Sequence, residues 1–309
     1  MNLKIGIALP QIGRWASPEA IIRVAQGAEG MGLSSLWVLD RLLLPTNPMD
    51  LWPAVTSGGA WPDAYGVTFD PIETLTLAAA KTERIRLGTG IVDALYMPPI
   101  LLGRRLATLD VMSGGRLVAG LSQGWSKDEF KATGASLSRR GRGFEEYLRV
   151  LRAIWGPDPV EFSGMFYTIP ESRIGPKPTQ SGGPPILSGG NSPAAFARAG
   201  RIADGLVIGG ASIPSWEKFR EIIDSFRSSA ATNGRDPGAL EVVSSVNRAI
   251  SDRKLPEPRQ PLSGDIEQMA EDLSVASSVG VNHVFFNMNF AQVPIETQLA
   301  FVEKLLDAV

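Results

Sequence analysis

The chain of 309 residues has no cysteine and a single histidine, His283. The first absence excludes disulfides, a thiolate nucleophile and cysteine-ligated metal. The second argues against a zinc or non-haem iron centre, because such sites draw on several imidazoles, and no metal is expected. Surplus charge is missing too: 30 Lys and Arg face 32 Asp and Glu, a net charge of −2. That leaves no basic footprint for nucleic acid. No apolar run approaches the about 18 residues of a membrane span. The start, MNLKIGIALPQIG, enters a strand-like run without a signal-peptide core. The expectation is a soluble, cytoplasmic protein whose partner is a small molecule rather than nucleic acid or membrane.

What is present is an alternation. Strand-like runs fall at 3–9, 35–40, 85–92, 116–122, 184–190, 204–210, 240–246 and 281–288, each followed by a helix-like segment. In the first such segment Ser17 can cap and Pro18 suits the first helical position. Ile21, Val24, Ala25, Ala28 and Met31 share one face there, and Gly32 can end the helix. Eight β/α units in a chain of this size predict an α/β fold, a (β/α)₈ barrel forming one domain over 1–309.

Three stretches interrupt the rhythm. Residues 41–70 follow the second strand and so belong over the catalytic rim. Their Trp52 and Trp61, with Leu42–Leu44, Leu51 and Tyr65, predict an ordered lid lining an apolar pocket. Residues 156–184 precede the fifth strand, and within them VEFSGMFYTI reads as a hairpin. Residues 251–262 follow the seventh strand and read as a rim loop rich in Pro and charge.

Two motifs carry candidate chemistry. GLSQG, Gly120 to Gly124, matches the G-x-S-x-G nucleophile elbow. A serine needs a base, and His283 sits near a strand start, where a hydrogen-bonded residue of the barrel base is expected instead. SGGNSP, from Ser188, places glycines and a helix start after a strand. That pattern suits an anion, and equally a tight turn that needs glycine for its dihedrals.

The run IRLGTGIVDALYMPPILLGRRLATLDVMSGGRLVAGLSQGWSKDEF, 85–130, resembles the luciferase-like monooxygenase superfamily. Within it the chain is most similar to the deazaflavin (coenzyme F420)-dependent oxidoreductases. ASPEAIIRVAQGAEGMGLSSLWVLDRLLLP, RRGRGFEEYLRVLRAIW, IGPKPTQ and PPILSGGNSPAAFARAGRIADG agree in order and spacing. The resemblance implies the bacterial-luciferase-like (β/α)₈ barrel and a cis peptide at Gly90–Ile91 backing the cofactor ring. It implies that Gln123, Gly124, Trp125 and Asp128 border the cofactor. It makes Ser188, Gly189 and Gly190 backbone donors to the cofactor phosphate, with Arg198 either assisting or on the surface.

The departures also matter. Many relatives carry Asp-His where this chain has Asp40–Arg41, and Arg41 cannot act as a general base. Arg41 could hold developing negative charge, and Asp40 could be catalytic or orient Arg41 through an ion pair. Trp125 replaces the glutamate proton donor of the sugar-phosphate dehydrogenases, which disfavours a sugar-phosphate substrate. The resemblance implies hydride transfer between F420 and an organic substrate, in a homodimer, and the apolar residues of 41–70 point to a hydrophobic one. An FMN-dependent monooxygenase and a barrel that binds cofactor without turnover are the alternatives.

Overall fold

The computed structural model describes residues 3–51, 59–210, 213–247, 251–291 and 293–309. Trp52 lies outside the described residues. Eight parallel strands close into a barrel: β1 (Lys4–Ala8), β2 (Ser35–Val38), β3 (Arg86–Thr89), β5 (Leu117–Ser122), β8 (Ile186–Gly189), β9 (Gly205–Gly209), β10 (Glu241–Val246) and β11 (His283–Phe286). The order β3-β2-β1-β11-β10-β9-β8-β5 is closed by pairing of β3 with β5. Around the barrel run α1 (Pro18–Gly30), α2 (Pro71–Ala79), α3 (Pro99–Met112), α4 (Lys127–Thr133), α5 (Arg142–Trp155), α6 (Pro193–Ile202), α7 (Trp216–Thr232), α8 (Ile266–Ser278) and α9 (Ile295–Asp307). The hairpin expected before the fifth barrel strand is β6 (Val160–Ser163) with β7 (Thr168–Ser172). No described helix is long and apolar enough to cross a membrane.

Local chemistry places the helices. Ser17, Asp70, Ser126, Ser192 and Ser215 each accept a backbone N–H at a helix start, and Asp265 with Gln268 forms a capping box. The sequence differs from the structure at two points. The third strand does not run unbroken over 85–92. It stops at Thr89 and resumes as β4 (Val92–Asp93), because the Gly90–Ile91 peptide is cis and turns the chain. The helix α4 is additional, and its seven residues are too few to show a 3.6-residue repeat.

Strand alternation divides the core. Leu36, Leu87, Leu117, Ile186 and Leu206 face the helices, while Ala8, Trp37, Val118, Leu187, Val207, Val243 and Phe285 fill the barrel. Trp37 stacks on Phe285 at 4.7 Å, and a Cβ on Gly88 would lie 2.4 Å from the Trp37 ring. The N-terminal end is closed by polar side chains. His283 Nε2 lies 2.6 Å from Ser35 Oγ, and its Nδ1 lies 3.4 Å from Glu241, which also binds Lys4 and Arg86. Burial pushes the Glu241 carboxyl up, but the His283 hydrogen bond and the Arg86 and Lys4 charges outweigh it and hold the group far below the usual range. Burial pushes His283 down, so the imidazole is neutral at neutral pH. His283 is thus a hydrogen-bonded residue of the barrel base, as its sequence context suggests.

Candidate active site

Arg41 follows β2 at the C-terminal rim and is 8% exposed. A buried guanidinium needs partners. Nη2 donates to Asp93 Oδ2 at 2.7 Å, Nη1 lies 3.2 Å from Glu129 Oε2, and Nε donates to the Asp40 carbonyl at 2.9 Å. Trp125, Trp61 and Tyr65 surround it, with ring centroids 5.2, 5.7 and 6.0 Å from its guanidinium carbon. The ion pair expected between Asp40 and Arg41 is therefore replaced. The cation turns to Asp93 and Glu129, which are 5% and 0% exposed and need compensation more than half-buried Asp40. Asp40 Oδ2 accepts the Asp93 backbone N–H at 3.2 Å.

Sequence reasoning missed Asp93 and Glu129. The signal for Glu129 was ambiguous: Ser126-Lys127-Asp128-Glu129 reads as an ordinary capped helix start, and Ser126 Oγ does accept the Glu129 N–H at 3.3 Å. Its carboxylate, however, reaches away from its own helix to accept the Leu42 N–H at 2.8 Å as well as pairing Arg41.

Ser122, the serine of G-x-S-x-G, donates to Asp93 Oδ1 and accepts the Gly124 N–H at 3.3 Å. Its partner is a carboxylate already bound to Arg41, and the imidazole is at the other end of the barrel, so no activated nucleophile results. The glycines of the motif have packing causes. A Cβ on Gly120 would sit 1.9 Å from the Thr89 carbonyl oxygen. Gly124 has φ +73°, and a Cβ there would lie 2.7 Å from the Tyr96 hydroxyl. Gly120→Ala is expected to destabilise the fold by about 1–3 kcal/mol through overpacking against backbone. Urea unfolding of the variant, with wild-type stability as the contrary result, checks this.

The other predicted residues divide into two groups. Ile91, beyond the cis peptide, covers Gly189, where a Cβ would fall 2.2 Å from Ile91 Cδ1. Gly90 abuts Phe285, with a Cβ position 2.9 Å from its Cζ, so both glycines lie against the barrel mouth. Trp125 joins the roof, 4.9 Å from Trp61 between ring centroids. Gln123 and Asp128 each bind a loop: Gln123 Oε1 accepts the Gly141 N–H at 2.8 Å, and Asp128 Oδ2 accepts the Met49 N–H at 2.9 Å. Ser188 is buried with no hydrogen-bond partner on its Oγ, and Gly190, at φ +157°, would press a Cβ to 2.6 Å from that of Ala195.

The described residues of 41–70 are anchored from both sides. Asp50 accepts the Lys127 N–H at 2.7 Å and pairs with its Nζ at 2.9 Å, while Trp61 Nε1 donates to the Asp50 carbonyl at 3.0 Å. Trp61 and Tyr65 are buried with Ile12 and Ala64, against Leu39, Leu44, Trp125 and Phe290. Leu42 and Leu51 stay exposed, so only part of the apolar content described in 41–70 faces inward.

Electrostatics single out one group. Burial, reinforced by the Asp93 charge, pushes Asp40 up to about 7. Burial also raises Glu129, against the pull of Arg41 and the Leu42 N–H. Burial pushes the Tyr65 and Tyr96 hydroxyls far up, so both stay protonated. Asp40 is thus brought close to neutrality.

Residues 5–254 match the model of a family described as luciferase-like monooxygenase. An uncharacterized protein of Mycobacterium tuberculosis is 27% identical over 300 residues, covering 97% of this chain and 96% of that protein. The FMNH(2)-dependent dimethylsulfone monooxygenase of Pseudomonas putida is 35% identical over 158 residues, 50% of this chain and 42% of that enzyme. The solved structure of an F420-dependent secondary alcohol dehydrogenase, in complex with an F420-acetone adduct, has the same fold. Its TM-score is 0.80 at 19% identity, covering 100% of this chain and 99% of that one.

Proposed function

Because the chain belongs to the luciferase-like monooxygenase family, we propose that it is an oxidoreductase that moves hydride between the deazaflavin coenzyme F420 and an organic, apolar substrate. The observation that carries the reading is Asp40. Its acidic neighbours are committed to Arg41, Ser122 and the Leu42 N–H, while Asp40, which accepts the Asp93 N–H, is pushed up to about 7. A group in that state can both hold and release a proton at neutral pH.

The residues present fit such a coenzyme. The barrel mouth offers the half-buried Ile91 side chain, packed over Gly189, and the buried Ser188 hydroxyl of β8 lacks a partner. Gly90 and Ile91 would back the ring, and the Ser188–Gly190 backbone and the start of α6 would hold the phosphate. The coenzyme, when bound, supplies a carbon that gives or accepts hydride. Trp61, Tyr65 and Trp125 would exclude water and hold an apolar substrate. Protonated Asp40 delivers its proton to the substrate atom left electron-rich, and ionised Asp40 accepts one in the reverse direction. Arg41, its charge already met by two carboxylates, acts as a positioning residue that fixes Asp93 against Asp40.

A second reading, an FMN-dependent monooxygenase, is favoured by the 35% identity to the Pseudomonas putida enzyme over half of this chain. The two part on oxygen, because a flavin nitrogen supports its activation where the deazaflavin carbon favours hydride transfer. The test is anaerobic mixing of the protein with reduced F420 and a panel of apolar ketones, enones and imines. Oxidation of the coenzyme without oxygen is expected. Turnover only with reduced FMN and oxygen overturns the reading.

A further inference from the structure

At the C-terminal rim the strand alternation runs out of the barrel core into a row of amides. On β10 Val242 and Val246 face the helices and Val243 fills the barrel, so Asn247, just past the strand, turns inward. Phe286 of β11 and the following Met288 face outward, and Asn287 between them turns inward beside Asn247. The Asn287 backbone N–H donates to the Val246 carbonyl at 2.8 Å, and Asn287 Nδ2 donates to Asn247 Oδ1 at 2.6 Å. Asn287 is 1% exposed and Asn289 6%, so their amides need partners within the protein.

Each bond in the row has one possible direction. The Ile12 backbone N–H can only donate, and Asn289 Oδ1 accepts it at 3.3 Å. The Leu9 carbonyl can only accept, and Asn289 Nδ2 donates to it at 3.1 Å. Asn289 Nδ2 also donates to Asn287 Oδ1 at 2.8 Å, and the Asn289 backbone N–H reaches the same oxygen at 3.2 Å. Asn287 Oδ1 is thereby an acceptor, Asn287 Nδ2 a donor, and Asn247 Oδ1 an acceptor in turn. The row ends in Asn247 Nδ2, and no acceptor among the described residues takes its hydrogens. Asn247 itself is half-buried, and the wall beside it is open. Ser245, two residues earlier on β10, pairs with Gly209 of β9, where a Cβ would meet, among the described residues, only Asn191 Oδ1 at 3.9 Å. One layer below, Phe285 stacks on Trp37 and closes the barrel.

We propose that Asn247 Nδ2 is a directed donor to a carbonyl oxygen of the molecule bound in the barrel mouth. A neutral N–H above an aromatic layer suits a neutral acceptor, since this row of amides brings no cation to meet a carboxylate. The row also fixes the amide before the ligand arrives, so little orientational freedom is lost on binding. The oxygen has two possible sources, the dione edge of the coenzyme ring, which F420 and FMN share, and the carbonyl of the substrate. In the second case the donor also holds the charge that grows on oxygen as hydride arrives, and this arm alone rests on the function proposed above.

The experiment follows the Asn247 side-chain amide by NMR, assigned by its loss in Asn247→Asp, and measures affinities for wild type, Asn247→Asp and Asn247→Leu. Asn247→Asp keeps the acceptor for Asn287 and loses only the donor, so it reads the site even if Asn247→Leu fails to fold. The probes are F420, FMN, cyclohexanone and methylenecyclohexane, which has the ketone's shape without its oxygen. A shift of the amide with F420 or FMN, and affinity about tenfold weaker in both variants, assigns the ring as the source. Unchanged coenzyme affinity, with a shift caused by cyclohexanone but not by methylenecyclohexane and about tenfold weaker ketone binding in the variants, assigns the substrate. A response to cyclohexanone with neither coenzyme bound leaves the donor standing while the functional reading falls. An amide that responds to none of the probes overturns the proposal. Affinity lost in Asn247→Asp but kept in Asn247→Leu also overturns it, because only charge repulsion would then be at work.

Discussion

Asp40→Asn removes the ionisation near pH 7 from the rate profile and slows turnover by about 100-fold or more, the usual scale for losing a positioned acid or base. Asparagine keeps the shape and can still accept the Asp93 N–H, but it cannot move a proton. In the direction that reduces substrate, the wild-type rate falls as pH rises through about 7, because the acid must be protonated. Stability has the same sign. The carboxyl is raised from 3.8 to about 7 in the folded protein, so the native state binds a proton that the unfolded chain releases. Its contribution is fully present below 3.8 and is lost as pH rises through about 7. Melting curves at pH 5 and pH 8 should show this loss in the wild type and a flatter dependence in Asp40→Asn. An unchanged pH–rate inflection in the variant would place the ionisation elsewhere.

Arg41→Ala has the largest expected effect on the fold. It leaves Asp93 and Glu129 buried beside one another without their cation, and loss of one partner from such a cluster costs about 3–5 kcal/mol. Arg41→Lys keeps the charge and loses the two-sided fork, so it should fall between. Arg41→Ala should also move the Asp40 ionisation upward, since Arg41 holds it down. Urea unfolding reads the first effect and the pH–rate profile the second. A variant as stable as the wild type would mean that the pairs do not hold the rim together. If turnover is unchanged in the Ala, Lys and His variants alike, Arg41 plays no part in the mechanism.

Much of the barrel is legible in the sequence because its signals are periodic. Outward strand residues such as Ile5, Leu36 and Val284 recur with the pleat, and the capping serines stand where the helices begin. The break in the third strand has no such signal, since a cis peptide leaves no periodic trace; only the resemblance pointed to Gly90–Ile91. The rim network is less legible for a different reason. Asp93 and Glu129 look like solvent-facing acids in isolation, and their burial arises only when β4, α4 and the residues after β2 converge on Arg41. Asp40 and Arg41 were visible as a departure from a familiar pair, but their division of labour was not. Gly120 and Gly124 illustrate the opposite error, a catalytic-looking motif whose glycines answer to Thr89 and Tyr96.

The central claim, use of a deazaflavin, is tested most directly by titrating the purified protein with F420 and, separately, with FMN, following fluorescence. Tight, saturable binding of F420 with weak or no binding of FMN is the predicted result. Preference for FMN would contradict it and point to an oxygen-using enzyme on the same barrel.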